Sequence, residues 1–262
     1  MSRDPASLKL RPVPNSASEL ERKRGYREEV PIAFGEALAR EPCVEVRTMG
    51  ISGDNHYNTP LNPPYYIAIP GSIPDLFLRR SVAEKLAGIN ARLAPLGVEL
   101  YLFDAWRPQA IQRFFHDVWF PDWLKARTPG LAGAALVEEV EKYWAAPTAG
   151  VNSPSPHSTG AAVDLTLVFR ETRQPIYMGG IFDDLTPTAW TDGYEHTTSA
   201  SMSDEEARAN RRLLYWAMTE AGFASNPTEW WHYSWGDQLW ARLTGQPAAH
   251  YGACVPAGVS DS

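Results

Sequence analysis

The chain has 262 residues, of which 44% are hydrophobic and 21% charged, with a formal net charge of −7. This length suits a single sizeable core, the composition excludes a disordered or fibrous chain, and the acidic balance without a Lys/Arg run argues against a nucleic-acid partner. The two cysteines, Cys43 and Cys254, exclude a dense disulfide scaffold and favour reduced thiols, with one bridge left open.

The opening segment, MSRDPASLKLRPVPNSASELERKRG, lacks the apolar core of a signal peptide. No apolar run approaches the ~20 residues that a membrane span needs, so the expectation is a cytoplasmic protein with no membrane partner. Residues 1–30 are polar, proline-bearing and mixed in charge, and are expected to form an extended N-terminal arm or a wrapped lead-in rather than a core element.

The first periodic pattern is in RRSVAEKLAGINARLAPLG, where Val82, Leu86, Ile89 and Leu93 mark one buried helix face that Pro95 and Gly97 end. VELYLF, Val98 to Phe103, then reads as a strand leading into DAWRPQ. There Pro108 can open a helix over 108–120 at its first position, which puts Arg107 at a strand-to-helix junction.

Downstream, the Pro/Ser/Gly-rich PTAGVNSPSPHSTG precedes a buried strand, AAVDLTLVF. The aperiodic DDLTPTAWTDGYEHTTSASMS is long enough to be a lid or binding loop, with His196 as its candidate contact to the substrate or to a residue that touches the site. Ser203 and Glu206 form a capping-box pattern for a helix running to about Ala221, and EWWHYSW follows as a short aromatic strand. The expectation is one domain over 1–262 with an irregular tail at 246–262. Helices interspersed with short strands, without regular βαβ alternation, predict an α+β fold.

Several residues invite chemistry, each with a competing structural reading. His157 and Asp164 suit a divalent metal, with Gly160 allowing an unusual backbone angle between them; the alternatives are a hydrogen-bonded loop histidine and a buried salt bridge to an arginine. His232 is the candidate third ligand or else a core histidine. Glu229, on the turn before its strand, can take a proton from water attacking a carbonyl. Arg107 either pairs with Asp104 or stabilises an oxyanion. Trp230 and Trp231 either wall a pocket or belong to the core.

The pattern S-x-H-x-x-G-x-A-x-D at Ser155, His157, Gly160, Ala162 and Asp164, followed by E-x-x-H at Glu229 and His232, resembles the zinc D-alanyl-D-alanine dipeptidases associated with vancomycin resistance, within the D,D-peptidase group. The resemblance implies a small, mainly antiparallel sheet packed with helices, a D,D-peptidase/hedgehog-like zinc peptidase fold. It implies one Zn2+ per chain on His157, Asp164 and His232, Glu229 as general base and Arg107 as oxyanion stabiliser. MGGIFD matches a family segment and places Asp183 on the substrate ammonium. Ser155 would help hold that end of a small dipeptide substrate, and Tyr57 in DNHYNT is the candidate for a family tyrosine that binds it. The alternatives are a zinc peptidase cutting another D-amino-acid dipeptide or a peptidoglycan fragment, and a non-catalytic peptidoglycan-binding module.

Overall fold

A computed structural model describes residues 4–147, 150–197 and 201–260. The N-terminal segment is not an extended arm over its described part. It contains a 3-10 turn (Pro5–Leu10), helix α1 (Ser16–Lys23) and the single turn α2 (Tyr26–Glu29); residues 1–3 lie outside the described residues. The Asn15 side chain caps α1 by accepting from the Ser18 N–H at 3.2 Å, and Gly25, at φ 68°, turns the chain sharply between the two helices. Polar contacts hold the segment to the body. Asp192 accepts from the Ser16 N–H, Arg27 donates to the carbonyls of Ala146, Pro147 and Ser153, and Gln238 donates to those of Arg27 and Val30. Such side-chain-to-backbone docking leaves no hydrophobic periodicity in the sequence.

Strand β1 (Cys43–Glu45) pairs antiparallel with β3 (Phe77–Arg79), and the short β2 (Ser52–Gly53) lies between them in sequence. Helix α3 (Arg80–Leu93) buries the four residues its periodicity picks out, Val82, Leu86, Ile89 and Leu93. Each such side chain contributes roughly 1.5–3 kcal/mol when taken out of water. Gly97, at φ 71°, then leads into β4 (Val98–Asp104).

The helix expected over 108–120 is longer and less regular. Pro108 precedes α4 (Gln109–Arg113) as its cap rather than its first residue, a π-helical stretch spans Phe114–Trp119, and α5 (Phe120–Arg127) continues the rod. Pro121 has no N–H to give the carbonyl four residues back and would crowd it, and the widened turns fall immediately before it. Helix α6 (Gly133–Glu141) packs beside α5.

Strand β5 (Ala162–Phe169) is buried at every position except Phe169. Helix α7 (Met202–Thr219) starts two residues earlier than the Ser203/Glu206 pattern predicts, because Ser201 accepts from the Asp204 N–H at 3.1 Å. Strands β6 (Ala224–Ser225) and β7 (His232–Ser234) and helix α8 (Gln238–Thr244) complete the elements. The tail after α8 is irregular but not loose. Ala249 bridges to Ile32, Tyr251 is buried, and the Cys254 N–H donates to the Ser158 carbonyl. Residues 261–262 of that expected tail lie outside the described residues.

The main sheet has the order β2-β4-β5-β7-β6; β2 and β4 run parallel and every other pair is antiparallel. This is the expected α+β class. One face carries Leu165 and Leu167 into a cluster with Leu86 and Ile89 of α3 and Leu213 and Leu214 of α7. Among the described residues no helix is long and apolar enough to cross a membrane.

Candidate active site

Strand register assembles the site. Asp164, the third residue of β5, stands opposite His232 of β7 on one side and opposite Asp104 of β4 on the other. The second pairing depends on an irregularity in β4 between Leu102 and Asp104, which brings Asp104 rather than Phe103 opposite Asp164. His157 comes from the 3-10 turn Pro156–Thr159 that feeds β5. Gly160 ends this turn at φ 68°, and a Cβ there would lie 2.9 Å from Cys43 Sγ, so both backbone and packing require glycine.

His157 Nε2 lies 3.1 Å from His232 Nδ1 and 3.3 Å from Asp164 Oδ2, and His232 Nδ1 lies 3.0 Å from Asp164 Oδ1. A tetrahedral zinc with bonds of roughly 2.0–2.1 Å has ligand–ligand edges of about 3.3–3.4 Å. The two imidazole nitrogens and the Asp164 carboxylate form a triangle whose nitrogen–nitrogen edge and two nitrogen–oxygen contacts, each to a different carboxylate oxygen, are close to that size. Their remaining polar atoms are already engaged: His157 Nδ1 meets the Ala105 carbonyl at 2.7 Å, and His232 Nε2 lies 3.4 Å from Ser234 Oγ. Each imidazole therefore turns its other nitrogen to the triangle. Asp164 Oδ1 is buried and makes no hydrogen bond despite facing His232, as suits an oxygen aimed at a cation. These residues fit zinc, and among the described residues they are the grouping of metal-ligating side chains close enough to share one ion. Burial would raise the Asp164 carboxyl, but His157 and His232 outweigh it and hold the group well below the usual carboxylate range.

Glu229 sits on the turn before β7, where its N–H donates to the Asn226 carbonyl, and lines the same pocket as the triad. Asn226 Nδ2 donates to Glu229 Oε2 at 2.7 Å, and His232 Nδ1 is 3.5 Å from the same oxygen. Burial raises the Glu229 carboxyl above its ordinary value, opposed by His232, Lys23 and the Asn226 hydrogen bond. Both readings of Arg107 have a place in its geometry. Its Nε donates to Asp104 at 2.8 Å, its Nη1 to Gln112 at 3.0 Å and its Nη2 to Asp164 at 3.2 Å, while the guanidinium lines the pocket.

Asp183 also lines the pocket, at φ 56°, a conformation that aspartate tolerates better than most residues. Its Oδ2 accepts from Tyr57 Oη and from Tyr65 Oη, each at 2.9 Å. Burial, then the charge of Asp164, pushes its pKa up to about 8. Tyr57 is itself buried and lies 3.4 Å from Arg107 Nη2. Ser155 is buried at the start of the His157 turn, where its carbonyl accepts from Ser158; it is not among the residues lining the pocket.

Trp231 lines the pocket, whereas Trp230 stacks near the Arg211 guanidinium. The segment read as a lid supplies Asp183 and Leu185 to the pocket, but its later part is tied down by the Ser16–Asp192 and Arg212–Glu195 contacts. His196 is exposed beside Asp192 and does not line the pocket; residues 198–200 lie outside the described residues. Cys43 and Cys254 form no disulfide; their Sγ atoms make a hydrogen-bonding contact at 3.2 Å behind the His157 turn. Both are half-buried.

Sequence reading missed Tyr65, Gln112, Asn226 and Lys23. Asn226 stands three residues before Glu229 in NPTE, a spacing that suits a turn contact, whereas nothing in the local sequence distinguishes Lys23 or Tyr65 from surface residues.

A D-alanyl-D-alanine dipeptidase of Synechocystis sp. is 38% identical over 178 residues, covering 63% of this chain and 71% of the other. That of Enterococcus faecalis is 31% identical over 160 residues, covering 61% and 73%. That of Escherichia coli is 31% identical over 138 residues, covering 52% and 55%. The sequence model of the family described as D-ala-D-ala dipeptidase matches residues 75–250, which contain the triad, Glu229, Arg107 and Asp183. With a His/Asp/His zinc triad formed inside that span, the chain belongs to the D-Ala-D-Ala dipeptidase family of zinc metallopeptidases.

Proposed function

We propose that the protein hydrolyses D-alanyl-D-alanine, with Glu229 as general base and Arg107 as oxyanion stabiliser. The observation that carries this reading is the opening of Glu229 into the same pocket as the three converged donors His157, Asp164 and His232. Zinc held by those donors would polarise the scissile carbonyl and acidify a water. Glu229 takes the proton of the attacking water as oxygen adds to the carbonyl carbon, then delivers it to the leaving nitrogen when the C–N bond breaks. Two D-alanine molecules result. A raised carboxyl pKa suits both transfers, because the group binds its proton more tightly than an exposed glutamate does.

Arg107 donates toward the oxygen that gains negative charge. Asp104 and Gln112 hold the guanidinium in place beforehand, so little reorganisation accompanies the reaction. Asp183, with Tyr57 and Tyr65 behind it, receives the substrate ammonium. Binding of that cation favours the ionised carboxylate, which burial alone disfavours. Ser155 contributes through its carbonyl, which accepts from Ser158 and so shapes the turn that carries His157.

The test is hydrolysis of D-Ala-D-Ala, its N-acetyl derivative and longer stem peptides, before chelation, after chelation and after zinc is restored. The expected result is zinc-dependent release of D-alanine from the free dipeptide and rejection of the acetylated one. Equal rates on both would remove the role of Asp183, and turnover that survives complete metal removal would end the zinc reading.

A further inference from the structure

Lys23 is the last residue of α1 and belongs to the N-terminal segment that precedes the family-matched residues 75–250. It nevertheless lines the active-site pocket, with Tyr26 beside it. One of its N–H groups donates to Asn226 Oδ1 at 3.1 Å, and Asn226 in turn donates to Glu229. Among the described residues no carboxylate forms an ion pair with Lys23. Arg107, the other Lys or Arg side chain lining the pocket, is held by both Asp104 and Asp164. The pocket therefore has one cation neutralised by neighbouring carboxylates and one facing an amide. Burial acts to discharge Lys23, and the charge of Glu229, reached through Asn226, opposes it.

Resting on the hydrolysis proposed above, we propose that Lys23 is the specificity residue that receives the free C-terminal carboxylate of the substrate, so that the pocket measures a dipeptide from both ends. The direction follows from connectivity. Glu229 must reach the leaving nitrogen, and that nitrogen is separated from the substrate carboxylate by a single Cα. Lys23 reaches Glu229 through one asparagine, so it stands on the leaving-group side. Asp183, which takes the ammonium, serves the acyl side. An ammonium and a carboxylate desolvated together make a charge-assisted contact, and its loss is expected to weaken binding by about 10- to 100-fold.

The experiment uses calorimetric titration of the zinc-loaded full chain with a non-hydrolysable phosphinate isostere of D-Ala-D-Ala and with the C-terminal amide of the same compound. The parent should prefer the carboxylate form by about 10- to 100-fold. Lys23→Met should lose most of that preference by weakening the carboxylate form alone, while Lys23→Arg keeps most of it. Zinc content and thermal midpoint, measured alongside, should match the parent in both variants. If Lys23→Met weakens both compounds equally, the lysine acts only through Asn226 on Glu229, and the carboxylate role is overturned. A parent with no preference between the two compounds overturns it without recourse to any variant. A parent that binds neither compound overturns the dipeptide reading, and this proposal with it.

Discussion

Within the site, single side chains divide into those that hold charge in place and those that move it. Glu229→Gln keeps the shape of the turn and removes the proposed base. Turnover is expected to fall by about 100- to 10,000-fold, the range general-base catalysis supplies, with zinc content unchanged by metal analysis. Because burial raises the Glu229 carboxyl, the acid limb of the kcat profile should lie above the ordinary glutamate range and should vanish in the variant's residual rate. Asp183→Asn tests the ammonium site through the ratio of kcat/KM on D-Ala-D-Ala to that on the N-acetyl derivative, which should fall toward one. The same carboxyl gives a stability signature in the metal-free protein. Its pKa rises from 3.8 to about 8 on folding, so its contribution is present below about pH 4 and is lost as pH rises through about 8. Urea unfolding at pH 5 and pH 8 should show that decline in the parent and a smaller one in Asp183→Asn.

Two local backbone features at the element level aim the ligands. The turn before β5 presents His157 only because Gly160 occupies the left-handed region against Cys43, at the end of a segment whose carbonyls also receive Cys254 and Arg79. Gly160→Ala should cost about 1–3 kcal/mol through φ strain and the close Cβ contact, read as a lower urea midpoint, and should weaken zinc affinity by displacing His157. The irregularity in β4 matters as much. It sets Asp104 beside Arg107 at 2.8 Å and 3.4 Å from His157 Nδ1, at a fully buried position. Asp104→Ala would remove one of the two carboxylates that hold Arg107, a loss of about 1–3 kcal/mol, and kcat should fall with it as the guanidinium keeps only Asp164 and Gln112.

Over the whole molecule, the site is a closure of distant segments. The triad joins the turn before β5, β5 itself and β7; Asp183 comes from the loop after β5, and the N-terminal helices and the α8 region close the rim. Zinc bound only by the folded arrangement must therefore stabilise it. At free zinc about 100 times Kd the gain is about 2.7 kcal/mol, so chelation should lower the thermal midpoint and added zinc restore it. Acid should also release the metal, because protons compete for His157. Burial and Arg107 lower its pKa, but Asp164 and Asp104 outweigh them and leave it raised. Zinc retention measured against pH checks this.

Composition, the buried face of α3 and the strand patterns of β4 and β5 were legible in the sequence because they depend on local periodicity. The ligand set His157, Asp164 and His232 was legible through the family resemblance that the motif spacing carries, since each residue taken alone kept a structural reading. Residues whose role depends on a remote partner were not legible. Lys23 and Asn226 meet across 203 positions and Tyr65 and Asp183 across 118, and polar helices such as α1 carry no apolar stripe to announce where they dock. Sequence alone thus determined the metal-ligand chemistry and the class of fold. Tertiary structure decided which charges stand unpaired around it, because desolvation and partnering act through space and leave no period along the chain.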